Sequence, residues 1–366
     1  MTAMAITPLA ALFPAPRVAV LIPCHNEAAA IGRVVTDFRR VLPSAVVYVY
    51  DNASTDGTAE IARAAGAVVR RETLKGKGNV VRRAFADVEA DVYLLVDGDD
   101  TYHPASAPLL VSMLLENDLD MVCGRRVTDI AAAYRPGHRF GNRLLTRLVA
   151  AFFGDRVQDM LSGYRAFSRR FVKSFPAMAQ GFEIETELTV HALVLRMPLA
   201  EIDTPYKDRP CGSASKLRTY RDGFRILTTI LRLVKEERPL PVFSALFALL
   251  FLLSLGLAAP VILTYLQSGL VLRVPTALLA TGTMLLASLS LACGLVLDSV
   301  TVGRREMKRI RYLEIPGLAC ATSLRPVPQR DHLVSMVDRQ DPIGARGSNS
   351  GPRRDGARRG VLVDAS

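Results

Sequence analysis

Two long uncharged runs near the C-terminus constrain this chain more than anything else in it. No Asp, Glu, Lys or Arg occurs from Pro239 to Leu272, nor from Val274 to Leu297. A helix needs roughly 20 apolar residues to cross about 30 Å of hydrocarbon, and each run exceeds that length. A buried core helix is the competing reading, and runs so long and so free of charge disfavour it. Arg273 and the Gln267-Ser268-Gly269 before it leave a short connection, so the spans, about 242–266 and 274–297, should form a hairpin. KEER at 235–238 precedes the first span and GRREMKRIR at 303–311 follows the second. By the positive-inside rule both ends are cytoplasmic. The expectation is a multi-pass protein of the cytoplasmic membrane, with its N-terminal part and its C-terminus in the cytoplasm.

Half of the 366 residues are hydrophobic although 22% are charged, and the two runs hold the excess. The net charge of +11 fits the same topology, because Lys and Arg crowd Lys207–Arg238 and the stretch after the second span. Anionic headgroups attract each near-surface cation there by about 1 kcal/mol, which makes membrane lipid a partner. Nucleic acid would need a basic face with stacking aromatics, and none stands out, so it is not expected to bind. Cys24, Cys123, Cys211, Cys293 and Cys320 have neither metal-ligand spacing nor a pairing pattern, in keeping with a reducing compartment. Residues 1–16 lack the basic start of a signal peptide and read as a loose arm. A basic juxtamembrane segment at 299–319 is expected to lead into a disordered Arg/Gly/Pro/Ser-rich tail at 320–366.

The region 17–238 reads as alternating strands and helices. Strands are expected at Arg17–Pro23, Ala45–Asp51, Ala67–Arg71, Val92–Asp97 and Leu119–Gly124, with helices at Glu27–Val41, Thr55–Ala65, Gly78–Glu89 and Pro104–Glu116. Such alternation implies an α/β fold, a doubly wound, mostly parallel sheet. Residues 137–154 have apolar positions at helical spacing with Arg interleaved, the pattern of an amphipathic helix lying in the membrane interface, with an ordinary packed helix as the alternative.

Ligands bind beyond the carboxyl ends of parallel strands, and the chemistry-bearing residues fall there. The run ending in Val96 is followed by Asp97-Gly98-Asp99-Asp100. Two carboxylates one residue apart can address one hard cation, which takes one or two carboxylates plus substrate phosphate oxygens. A leaving diphosphate needs that neutralisation; alone, though, Asp-x-Asp is a common solvated turn. After the first strand come Pro23, Asn26 as a helix cap, and Glu27, which either meets a ribose or base or only suits the helix dipole. Asp51 ends the second strand and either contacts the nucleoside or caps a turn. Gly76-Lys77-Gly78-Asn79 opens a helix without P-loop spacing, and no GxGxxG occurs, which argues against nucleotide hydrolysis and dinucleotide redox chemistry. Glu183, Glu185 and Glu187 are close in sequence, and one is read as orienting the sugar.

IPCHNEAAAIGRVV, YDNASTDGT, GKGNVVRRAF, VDGDD, DMLSGYRAF and RPCGSASK follow one another in the chain. Together they resemble glycosyltransferase family 2, most closely the polyprenyl-phosphate glycosyltransferases related to dolichol-phosphate mannose synthase. The resemblance covers about 17–235 and implies a GT-A type fold with a C-terminal two-helix transmembrane hairpin. It also implies a nucleotide-diphosphate sugar donor, UDP- or GDP-linked, a polyprenyl phosphate acceptor, and Mg²⁺ or Mn²⁺ on Asp97 and Asp99. Pro23, Glu27, Asp51, Lys77 and Asp97 match the donor side. Arg165, Arg209, Ser215 and Lys216, with Arg125, match the phosphate and acceptor side; Asp97, Asp99 and Arg165 match catalytic positions. Thr101 stands where mannose synthases carry Gln, so the third metal contact is open. A lipid phosphate is already anionic and can attack the anomeric carbon without a strong base, inverting it. Rival readings are a processive polysaccharide synthase, disfavoured by the absence of Trp, a transferase with another acceptor that uses the hairpin as an anchor, and a non-catalytic nucleotide-sugar-binding adaptor.

Overall fold

A computed structural model describes residues 15–127, 138–154, 156–209 and 219–317, all within the first of two compact units, 1–322. Ser215, Lys216, Cys211 and Cys320, most of the N-terminal arm and the tail lie outside the described residues.

The N-terminal half alternates as expected: β1 (Val18–Cys24), α1 (Ile31–Val41), β2 (Val46–Asp51), α2 (Thr58–Ala64), β3 (Val68–Arg71), α3 (Lys77–Asp87), β4 (Val92–Leu95), α4 (Ala107–Glu116) and β5 (Met121–Val127). Then come α5 (His138–Phe153), β6 (Arg165–Ser168), α6 (Arg169–Ser174), α7 (Ile184–Val194), β7 (Leu199–Pro205) and α8 (Thr219–Glu237). The seven strands form one sheet, ordered β3-β2-β1-β4-β6-β5-β7, parallel throughout except for β6, which runs against both β4 and β5. Because β2 and β3 lie to one side of β1 and β4 to the other, the winding reverses between β1 and β4. A cleft opens there: β1 pairs with β4 only through Leu21, while it pairs with β2 on to Cys24. Pro23, which has no N–H to give, sits past the last β4 pair, where a proline costs the ladder nothing.

Both faces of the sheet are covered. Ala19, Leu21, Tyr93 and Leu95 point into one core with Phe85 and Phe167, whereas Val20, Ile22, Val92 and Leu94 point into the other with Phe38 and Leu110. A third cluster joins α5, α7 and α8 through Leu145, Val149, Val190, Ile226 and Ile230. Thus α5 is a packed helix, and Leu144 and Phe152 remain exposed on its outer side.

The apolar runs form α9 (Pro239–Ser268) and α10 (Val274–Glu314), joined through residues 269–273. Their seam is made of small residues: Ala280, Thr283, Ala287, Ser290 and Gly294 are buried, and Ser254 Oγ donates to Ala280 O at 2.8 Å. Small side chains let helix backbones approach closely, which is how membrane helices associate. The outer faces are leucine-rich and exposed. The basic stretch from 299 continues the second helix, unbroken to Glu314.

Candidate active site

Asp97, Asp99 and Asp100 follow β4 at the cleft between β1 and β4. Gly163, in the turn before β6, lies directly against them: a β-carbon there would come within 2.6 Å of Asp97 Oδ2 and 2.9 Å of Lys77 Nζ. Its N–H donates to Tyr102 Oη at 2.7 Å, which fixes the turn over the acidic residues. Lys77, the first residue of α3, is buried and places Nζ 2.5 Å from Asp97 Oδ1 and 2.6 Å from Glu185 Oε1. Burial opposes its charge, yet the two carboxylates outweigh burial and hold its pKa above the ordinary lysine value. Glu185 in turn is held above the usual carboxylate range by burial, against the pull of Lys77.

Asp99 accepts from Thr101 Oγ1 at 2.7 Å and pairs with Arg209 Nη2 at 2.6 Å. Burial, then repulsion from Asp97, raises its pKa in spite of Arg209. Asp100, in the left-handed region at φ 59°, takes Arg33 Nη1 at 3.2 Å and Lys207 Nζ at 2.8 Å. Tyr102 and Tyr206 form an antiparallel bridge, and Lys207 N donates to Thr101 O, so the chain after β7 lies alongside the acidic turn.

On the side expected to hold a nucleoside, Glu27 and Asp51 are buried near adjacent strand ends. Asn26 does not cap α1, contrary to expectation. The helix starts at Ile31, and Asn26 Oδ1 accepts Thr55 N at 2.8 Å. Ser54, Asp56 and Thr58 accept the N–H groups of Asn26, Ala28 and Glu27 in return, so the turn after β2 satisfies the turn after β1. Asp51 accepts long bonds from Ser54 N at 3.3 and 3.4 Å, the turn-capping role weighed for it above. Gly78 is required by packing rather than by a phosphate: its β-carbon would meet Ala179 O at 2.2 Å.

Of the residues assigned to the acceptor side, Arg209 reaches the cluster. Arg125 does not; it makes a bidentate pair with Asp203 at 2.5 and 2.8 Å, its register partner across β5 and β7. Arg165 has no exposed surface, and its guanidinium donates to Ser162 O at 2.9 Å, Thr189 Oγ1 at 2.8 Å and Met160 O. It braces the turn that carries Gly163 and presents no donor at the surface of the cleft. The three glutamates diverge: Glu183 accepts from Gln180 N and Gly181 N, Glu187 accepts from Met178 N and Ala179 N, and Glu185 alone reaches the site, through Lys77. Lys207, Arg33 and Glu185 as ion partners of the cluster were not legible individually, since nothing local in sequence ties them to the acidic turn.

A mostly parallel sheet with Asp-Gly-Asp at its switch point has the GT-A arrangement of sugar transferases. The sequence model for glycosyl transferase family 2 matches residues 19–175. Glycosyltransferase AglJ of Haloferax volcanii is 35% identical over 304 residues, covering 81% of this chain and 98% of that relative. The chain belongs to glycosyl transferase family 2. A dolichyl-phosphate hexose transferase of the same organism is 30% identical over 220 residues, 60% of this chain and 95% of that one. In fold, the chain resembles the glucosyl-3-phosphoglycerate synthase of Mycobacterium tuberculosis, crystallised with Mn²⁺, UDP and glucosyl-3-phosphoglycerate. The TM-score is 0.50 at 24% identity over 63% of this chain and 85% of the other.

Proposed function

We propose that the protein moves one sugar from a nucleotide-diphosphate sugar to a polyprenyl phosphate at the cytoplasmic face of the membrane, with inversion. The observation that carries this reading is the acidic pair Asp97/Asp99 at the switch point of a domain built directly onto a membrane hairpin. The relative named for dolichyl-phosphate hexose transfer supports it.

The donor set fits a divalent cation. Burial first, and then repulsion from Asp97, raises the pKa of Asp99, and a cation shared by the two carboxylates would relieve that repulsion. No group of three or more His, Cys, Asp or Glu among the described residues is placed to hold a metal ion by itself, so phosphate oxygens of the donor would complete the shell. Mg²⁺ or Mn²⁺ held by Asp97 and Asp99 would neutralise charge on the departing diphosphate. Lys77 fixes the rotamer of Asp97 and adds a positive charge below the reacting groups. Pro23, Glu27 and Asp51 wall the nucleoside, and Arg209, with Ser215 and Lys216, meets the acceptor phosphate. That phosphate's oxygen forms the new bond to the anomeric carbon as the bond to the diphosphate breaks; no proton has to be removed from it. Arg165 positions Gly163 and Asp97 from below rather than touching phosphate.

The test is transfer of labelled sugar from UDP- and GDP-linked donors to undecaprenyl phosphate by protein purified in detergent, with Mg²⁺, Mn²⁺ or excess chelator. Lipid-linked product that disappears with chelator is expected. Product confined to a soluble acceptor would reassign the hairpin as a mere anchor. For orientation, Ser268→Cys should react with an impermeant thiol reagent from outside intact cells and Ala105→Cys should not.

A further inference from the structure

The cytoplasmic end of α10 is keyed into the edge of the sheet opposite the acidic pair. Asp120 immediately precedes β5, level with Ser168 at the far end of the antiparallel β6, and its side chain has no exposed surface. Donors from three places close on it: Ser168 Oγ at 2.6 Å, Arg170 Nε at 2.6 Å and Tyr312 Oη at 2.7 Å. The Arg170 guanidinium also lies 5.0 Å over the Tyr312 ring. A buried carboxylate is costly unless donors reach it, so the Tyr312 hydroxyl matters to the balance. Burial and the bond to Asp120 push that hydroxyl up to about 12, and it therefore remains a donor at any physiological pH.

The same helix fastens the domain at a second level. The end of α8 leaves carbonyls at Glu236 and Glu237 ahead of Pro239, which has no N–H. Helix α10 satisfies them: Thr301 Oγ1 and Arg304 Nη2 donate to Glu236 O at 3.0 and 2.8 Å, and Arg305 donates to Glu237 O. The Glu237 carboxylate pairs with Arg305 at 3.2 Å and Lys308 at 2.8 Å. At 1.5 Å per residue, Thr301 and Tyr312 are about 16 Å apart along the helix. Attachment at two such levels fixes a direction, which a single tether cannot do.

We infer that Tyr312, held by Asp120 and Arg170, is a positioning residue: it sets how the catalytic sheet stands over the bilayer, so that the Asp97/Asp99 edge meets a phosphate at the membrane surface. The acceptor part of this inference rests on the function proposed above; the geometric part does not.

The experiment uses full-length protein in phosphatidylethanolamine/phosphatidylglycerol vesicles, with Cys211→Ser, Cys293→Ser and Cys320→Ser in the background, Cys24 and Cys123 being buried, and spin labels on Ala105→Cys and Ser268→Cys. Tyr312→Phe removes the hydroxyl and keeps the ring; Tyr312→Ala removes both. The distance distribution between the labels should be narrow in the parent and broaden in both variants, more in Tyr312→Ala. Transfer to vesicle-embedded undecaprenyl phosphate should fall about tenfold, the scale of one lost hydrogen bond to a charged group. Donor affinity and transfer to a short, water-soluble prenyl phosphate should change by no more than about twofold, because the site is remote. An unchanged distance distribution overturns the inference, and so does an equal loss with both acceptors, which would mark a general loss of fold. If the parent transfers to neither acceptor, the proposed function fails, and the distance distributions still decide the geometric part: broadened supports it, unchanged overturns it.

Discussion

At the upper edge of the sheet Asp97, Asp99, Asp100 and Glu185 share Lys77, Arg209, Lys207 and Arg33; at the lower edge Asp120 alone takes Ser168, Arg170 and Tyr312. Both edges bury carboxylates, yet they balance them differently. In the upper cluster burial, and then the like charge of Asp97, raises Asp99 even with a guanidinium on it, and the outer cations reach the cluster from the solvent side on long stems. Such partners can be exchanged for a metal ion or a phosphate. The lower carboxylate has no like-charged neighbour among its bonded partners and is sealed by side chains from two helices and a strand end. One arrangement suits a site that must change its occupants; the other suits a joint that must not.

That contrast breaks first, if it breaks, at Lys77. Lys77→Met leaves the buried Glu185 and the part-exposed Asp97 without their cation and should destabilise the protein by about 3 kcal/mol, read from denaturant unfolding in detergent. A wild-type midpoint would mean that water already screens the pair. Asp99→Asn and Asp97→Asn should each lower turnover on the order of a hundredfold or more. Asp99→Asn should do so without loss of stability, since it also removes a like charge. Arg165→Lys strips donors from the buried Met160 and Ser162 carbonyls and should cost roughly 1–3 kcal/mol, with the thermal midpoint and turnover falling together. A raised acceptor KM at unchanged midpoint would instead return Arg165 to a phosphate clamp.

The lower side of the domain should announce itself in acid. His191, packed against Phe171 and Phe175, is pushed from 6.5 down to about 3 by burial and by Lys308 of α10. Between these values the unfolded chain binds a proton that the folded one refuses, so stability should fall as pH drops, by about 1.4 kcal/mol per unit. His191→Leu should flatten that limb of the stability curve; an unchanged slope would assign the acid loss to other groups. The smallest effect is expected at Arg125, whose pair with Asp203 is exposed. Arg125→Ala should change stability by less than about 1 kcal/mol and leave the acceptor KM unmoved.

The parallel half of the sheet was legible because each strand is a short apolar run and each helix opens near a turn signal. The acidic pair was legible for the same reason, being the first polar residues after Leu-Leu-Val. What escaped were elements whose local pattern contradicts their placement. β6 is four residues long and opens on a wholly buried arginine, while β7 alternates Ala, Glu, Ile and Asp on a half-covered edge. Arg165 reads as a phosphate-holding cation because the partners that bury it, two backbone carbonyls and the Thr189 hydroxyl, leave no mark in a sequence. Likewise the positive charges after the second span read as lipid-facing, since nothing near them in the chain announces Glu237 or Asp120 as partners.

The stitching of the turn after β1 to the turn after β2 has a consequence for changing what the enzyme accepts. Asn26, Glu27 and Ala28 hold their shape through Ser54, Thr55, Asp56 and Thr58, so the wall proposed to face the nucleoside is a single piece made from two distant stretches of chain. Grafting either stretch alone from a relative would import half of a hinge-free panel whose other half was cut to a different template. A redesign of base preference therefore has to treat residues 23–30 and 51–58 as one interchangeable part, including positions that never come near the base.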